Sequence, residues 1–179
     1  LVEYDICDAE RGRVNADIGQ GSATGTINDD DDPPTLSIAD IVLNEGNSGS
    51  TDATFTVTLN QASSKTITVD YATAAGTAVA NTDFTTASDT LTINPGSTSQ
   101  TFTISVIGDT LDEDDELFYV NLSNGSNVNL PDTQAQATIT DDDAPPTLSI
   151  GDVTISEGDS GTKTAVFTVT LAQASSKII

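Results

Sequence analysis

The amino-acid sequence predicts an all-β fold, and three observations predict it. Thr-rich segments alternate apolar and polar residues at period two. Clusters of turn formers separate these segments: "NEGNSG", "NPGS", "SNGSN" and "LPD". No segment carries a convincing 3.6-residue period. Seven alternating strands, with a phase break in the first, point to a seven-stranded antiparallel immunoglobulin-like β-sandwich.

The first strand opens at Thr35. Its Leu36 and Ile38 share one parity, whereas Ile41 and Leu43 have the other. A β-bulge near Asp40 accounts for the break and lets the strand bend or change sheets. In the second strand Phe55, Val57 and Leu59 face one way, with Thr54, Thr56 and Thr58 opposite. The third carries Ile67, Val69 and Tyr71, and the fourth Leu91 and Ile93. Phe102, Ile104 and Val106 mark the fifth, and Phe118, Val120 and Leu122 the sixth. Ala137 and Ile139 mark the seventh.

This unit recurs. "PPTLSIADIVLNEGNSG" begins at Pro33, and "PPTLSIGDVTISEGDSG" begins 112 residues later at Pro145. The match continues without a gap through "FTVTLNQASSK" and "FTVTLAQASSK". Such a period is too long for a solenoid unit and suits an independently folding domain. Residues 1–32 are expected to be the tail of one repeat, 33–143 a complete repeat, and 144–179 the truncated start of a third. The chain thus reads as a fragment of a tandem array. The third piece holds about two strands, too few to bury a core alone.

Charge narrows the function. The 179 residues hold 28 Asp and Glu against 5 Lys and Arg, for a net charge of -23. Nucleic acid and anionic membrane surfaces both need the opposite sign. The absence of His removes Ser-His-Asp and Cys-His catalysis and the usual imidazole zinc ligands. The one cysteine, Cys7, has no intrachain disulfide partner. No run approaches the roughly 20 apolar residues of a membrane helix, so direct membrane insertion of this segment is not expected.

The acids are placed as well as numerous. If each strand reverses the last, the odd-numbered strands all run toward one far end. That end then collects Glu45, Asp83, Asp109, Glu113, Glu116 and the closing triplet Asp141, Asp142 and Asp143. The opposite, near end holds Lys65, the sole basic residue of 33–143, and the acid Asp132. Carboxylates within about 4–6 Å of one another, without counter-charges, protonate or bind a cation. A donor set of oxygens alone favours Ca²⁺ or Mg²⁺. Calcium suits ligands gathered from separate loops, because it takes 6–8 oxygens in tolerant geometry. Sharing about eight carboxylates at that coordination number suggests roughly two to four ions.

These residues resemble the Calx-beta domain family. The carriers are the "LNEG" turn, "GTAVANTDF", "INPGSTSQTFTISVIGDTLDEDDELFYVNLS" and the closing "ATITDDD". The resemblance covers 33–143 and both flanks. It implies a seven-stranded sandwich with a calcium cluster at its C-terminal end. The implied ligands are Glu45, Asp83, Asp109, the Leu111 backbone carbonyl, Glu113, Glu116, Asp141, Asp142 and Asp143. Asp112, Asp114 and Asp115 would be flanking acids. Gly108 departs from the pattern, standing where calcium-sensing members carry a further Asp. Asp29, Asp30 and Asp31 would close the preceding domain's cluster, and Glu157 would open the next.

The expected function is therefore a calcium-binding module. The main reading is an adhesive or structural repeat of an extracellular or cell-surface protein, secreted or anchored through other regions. Its partners would be neighbouring repeats in the chain and an unidentified surface ligand. Calcium at each domain's exit, just before a stiff Pro-Pro linker, would rigidify the joint. The alternative is a calcium-sensing regulatory domain of a membrane transporter or receptor. An enzyme is not expected: there is no Trp, and crowded acids are poorly tuned for separate acid and base roles.

Overall fold

The computed structural model describes residues 25, 26 and 30–179. The expectations for Cys7, for the "CDAERGRVNADIGQGSATG" stretch and for Asp29 lie outside the described residues.

The expected phase break is the pivot of the architecture. Strand β1 (Leu36–Ile38) pairs antiparallel with β3 (Gly49–Leu59). Past Ala39 and Asp40 the chain joins a different sheet as β2 (Ile41–Asn44). Carboxylates cover the backbone groups exposed at the switch. Ile38 N donates to Asp132 Oδ2 at 3.2 Å, and Gln136 N donates to Asp40 Oδ1 at 2.7 Å. Without such partners, buried amides there would cost free energy comparable to a lost hydrogen bond.

The remaining strands are β4 (Ile67–Ala75), β5 (Ser88–Ile93), β6 (Ser99–Gly108), β7 (Glu116–Ser126) and β8 (Gln134–Thr140). One sheet has the order β1-β3-β6, and the facing sheet β2-β8-β7-β4-β5. Counting the split strand once, these are the seven strands of the sequence reading. All pairings are antiparallel except β2 with β8, which is parallel, with Ile41 opposite Ala137 and Asn44 opposite Thr140. The exception follows from parity: both strands run toward the far end, so once adjacent they must be parallel. Glu45 and Asp141 thereby follow directly on the ends of two paired strands.

Alternation fills the space between the sheets. Phe55, Val57, Phe84, Val106, Phe118 and Val120 are fully buried. Phe84 stacks on Phe118 with ring centroids 4.4 Å apart, Phe118 meets Phe55 edge-on at 6.2 Å, and Phe55 stacks on Phe102 at 5.4 Å. Tyr71 closes the chain of rings against Phe102 at 4.1 Å. Such pairs add about 0.5–1.5 kcal/mol beyond area burial.

Pro33–Ile179 forms one compact unit, which includes the start of the next repeat. There β9 (Leu148–Ile150) pairs with β10 (Val169–Leu171). Leu148 faces Leu171 and Ile150 faces Val169, the register of Leu36 with Leu59 and Ile38 with Val57. Even the Ser149–Thr170 hydroxyl contact repeats that of Ser37 with Thr58. What differs is cover: Phe167 is 56% exposed, whereas its counterpart Phe55 is fully buried.

The ring chain makes Phe118 a sensitive position. Phe118→Ala should lower unfolding free energy by about 3–5 kcal/mol in a urea titration, through lost transfer energy and an unfilled cavity. A loss below about 1 kcal/mol would contradict the packing described.

Candidate metal centre

Glu45 is placed by the turn after β2. Its amide donates to Thr140 O at 3.3 Å, and Thr51 Oγ1 donates to its carbonyl at 2.9 Å. Gly46 follows at φ 81°, a left-handed conformation that glycine adopts at no steric cost. This turn lies hard against the end of β6. A Cβ on Gly108 would run into the carbonyl oxygens of Gly46 and Glu45. The departure at Gly108 thus has a steric cause, since the backbone of the Glu45 turn fills the space a side chain would need.

Asp83 is set by a tight loop. Its amide and that of Thr82 donate to Val79 O, at 3.0 and 3.1 Å, and Val79 N donates back to Asp83 Oδ2 at 2.5 Å. Asn81, at φ 63°, makes the turn. Ile107 N, near the end of β6, donates to Asp83 O at 2.8 Å and ties the loop to the opposite sheet. The acidic connection after β6 is tied to the closing triplet in turn. Glu113 N donates to Asp141 Oδ2 at 3.0 Å, and Asp141 N donates to Asp115 Oδ1 at 3.2 Å.

These supports gather the carboxylates into two groups. Oxygens of Glu45, Asp141 and Asp143 lie within 4.8 Å of one another, and so do those of Asp83, Glu113 and Glu116. The groups are adjacent, because Glu113 bonds Asp141 through its amide while its carboxylate belongs with Asp83. Three expected ligands fall in neither trio. Asp109 is exposed and accepts from Leu111 N at 2.6 Å. Asp142 is exposed and accepts from Gly46 N at 3.2 Å. Leu111 is half-buried between Thr110 and Asp112 in the acidic connection.

Asp112 differs from its expected place as a flanking acid. It is only 4% exposed, and its carboxylate meets Lys177, with Nζ 2.7 Å from Oδ1. Ser175 Oγ donates to Oδ2 at 2.8 Å. Hydrogen bonds from Lys177 and then Ser175 hold its carboxyl below the usual range. The signal available in the sequence was end-to-end charge complementarity. "QASSK" is a near-end turn, and the near end of one repeat follows the far end of the last.

The electrostatics are those of crowded like charges. Burial, then repulsion from Asp109, Glu113, Asp141 and Asp143, pushes Glu45 up to about 7. Burial, then a hydrogen bond and repulsion from Asp83, pushes Glu116 up to about 8. Burial and neighbouring acids also raise Glu113 and Asp143. Glu45 Oε1 and Asp143 Oδ2 are buried with no hydrogen-bond partner. Unpartnered buried carboxylate oxygens are costly. A hard divalent cation is the group that such an all-oxygen set fits.

Comparison with known proteins agrees with this description. The Calx-beta domain pattern matches residues 29–143, and the chain belongs to the Calx-beta family. A stretch of 61 residues is 43% identical to human sodium/calcium exchanger 3, covering 34% of this chain and 7% of the exchanger. The chain therefore spans less than a tenth of the curated relatives it matches. Among solved structures, the apo form of the Calx CBD1 domain superposes with a TM-score of 0.55 and 33% identity. That match covers 62% of this chain and 98% of the CBD1 domain. The calcium binding domain CBD12 of CALX1.1 gives 0.54 and 34%, over 60% of this chain and 44% of its own. The immunoglobulin-like sandwich is thus shared at substantial identity.

The raised carboxyls set a pH dependence. Folded, Glu45 and Glu116 hold protons up to about 7 and 8; unfolded, they release them near 4.5. The folded chain binds more protons across that window, so stability is full at its acid end and falls as pH rises through it. Asp112, shifted the other way, acts only at lower pH. In chelator, the melting temperature should be higher at pH 5 than at pH 8.5. A melting temperature that climbs with pH across this range would refute the crowding described.

Proposed function

We propose that residues 33–143 bind Ca²⁺ at the far end. Glu45, Asp141 and Asp143 surround one ion, and Asp83, Glu113 and Glu116 a second. Asp109, Asp142 and the Leu111 carbonyl lie on the same loops and complete the coordination. One observation carries the reading: Glu45 Oε1 and Asp143 Oδ2 are buried without hydrogen-bond partners inside a three-carboxylate group. A cation supplies the missing partner and removes the repulsion that raises these carboxyls. The likeness to a structure named as a calcium binding domain supports the same ion. Bound calcium supplies electrostatic cross-linking of loops and no chemical step, so the role is that of a binding module and not of an enzyme.

We infer further that the module is regulatory, part of a membrane transporter or receptor. Its resemblance to sodium/calcium exchangers supports this over the adhesive reading. Among the described residues no helix is long and apolar enough to cross a membrane. The adhesive array, placed outside the cell or on its surface, keeps one observation in its favour. The next repeat begins 112 residues on and pairs its strands in the same register. In either setting the neighbouring Calx-beta repeat is the immediate partner.

Isothermal titration of the 179-residue chain with Ca²⁺ should show about two ions per complete domain, one per carboxylate trio, with Mg²⁺ weaker. Calcium at a hundredfold excess over Kd should add about 2.7 kcal/mol of stability. Glu45→Gln should abolish or weaken one ion by tenfold or more and spare the other. Absence of calcium heat and of any melting shift against chelator would sink the proposal.

A further inference from the structure

The far end already meets a cation that the chain itself supplies. The "QASSK" turn of the next repeat, Gln173–Lys177, folds back onto the far end through six hydrogen bonds, five of them to Asp112 in the acidic connection. Gln173 Nε2 donates to Ala144 O at 2.7 Å. Ser176 N and Oγ donate to Asp112 O at 3.1 and 3.2 Å, and Ser175 Oγ reaches both Asp112 O and its carboxylate. The sixth is the ammonium, which lies 2.7 Å from Asp112 Oδ1 and also 3.5 Å from Asp141 Oδ2. Exposed Asp114 adds a weaker contact at 3.9 Å.

Two of these carboxylates have different affiliations. Asp112 belongs to neither trio and serves only the turn, whereas Asp141 belongs to the trio with Glu45 and Asp143. Any cation held by that trio therefore shares Asp141 with the ammonium of Lys177. Two positive charges on one carboxylate repel, and the repulsion is strong where Asp141 is nearly buried.

We propose that the docked "QASSK" turn competes with calcium, so that filling the Asp141 trio loosens the following repeat from the far end. This inference rests on the calcium reading and gives it a sign. Coupling between two sites is reciprocal: calcium weakens the docked turn by the factor by which the turn weakens calcium. Lys177 is then an internal counter-ion that screens part of the acid crowding and is displaced when the divalent ion arrives. The device converts ion occupancy into freedom at a joint, which is what a regulatory module requires. It is the opposite of a joint that calcium stiffens.

The test uses the full 179-residue chain. Calcium is titrated into the wild type, Lys177→Gln and the control Lys163→Gln, an exposed lysine of the same segment. Hydrogen exchange at the Ser176 amide, which donates to Asp112 O, is followed with and without calcium. Competition predicts that Lys177→Gln binds calcium tighter on the order of threefold to tenfold, the control is unchanged, and Ser176 exchanges faster in calcium. Equal or weaker binding by Lys177→Gln, or slower Ser176 exchange in calcium, overturns competition and leaves the calcium site standing. Absence of calcium heat in all three proteins overturns the calcium reading, and this inference with it.

Discussion

Like-charge crowding at one end of the sandwich governs the rest of the molecule. Among the described residues, six carboxylates gather in two trios with more acids around them, and the ammonium of Lys177 meets them through Asp141. The acids sit in every connection that follows β2, β4, β6 and β8, the strands that run toward this end. Burial makes it worse, since Glu45 and Asp83 are nearly buried in turns that backbone hydrogen bonds hold in place. The raised carboxyls of Glu45 and Glu116 are the record of that conflict. The hydrophobic core supplies the stability against which it is maintained. Phe84 links the two directly: it follows Asp83 and stacks on Phe118 at the centre of the core.

Much of this was legible in the sequence because it depends on period and parity alone. Alternation located the large buried strand residues from Phe55 to Ile139, though not Gly108 or Ala135. The phase change at Asp40 marked where the chain leaves one sheet for the other. Counting reversals put the acids at one end without any distance. That β2 and β8 are neighbours was not legible, since parity gives direction and says nothing of adjacency. Nor was the division of the acids into trios. It depends on how far the Val79–Asp83 loop reaches toward β6, and its length in residues does not reveal that distance.

Asp112 lies outside both trios, as a flanking acid should, but its burial was not legible. Within "DEDDE" nothing distinguishes it from Asp114 or Asp115, which stay exposed. Its burial is caused by a lysine 65 positions further on, in another repeat, so no local pattern could single it out. Gly108 illustrates the opposite case. The sequence shows the departure plainly, but the backbone that crowds it, at Glu45 and Gly46, lies more than 60 positions away on another strand's turn.

The placement of Lys177 gives the repeat a polarity. The complete repeat carries "QASSK" at its near end and the acidic loops at its far end, and Lys65 holds the position in it that Lys177 holds in the next. The joint that Lys177 makes is one of opposite charges. Electrostatic joints of this kind are weakened by salt and by any multivalent ion that takes the acidic partner. An apolar joint would be indifferent to both. Asp112 carries most of the hydrogen bonds to the neighbouring repeat, and Asp141 is the trio acid that also meets its lysine. In this geometry a cation held by the Asp141 trio would share that carboxylate with Lys177, which ties the proposed ion binding to the inter-repeat contact.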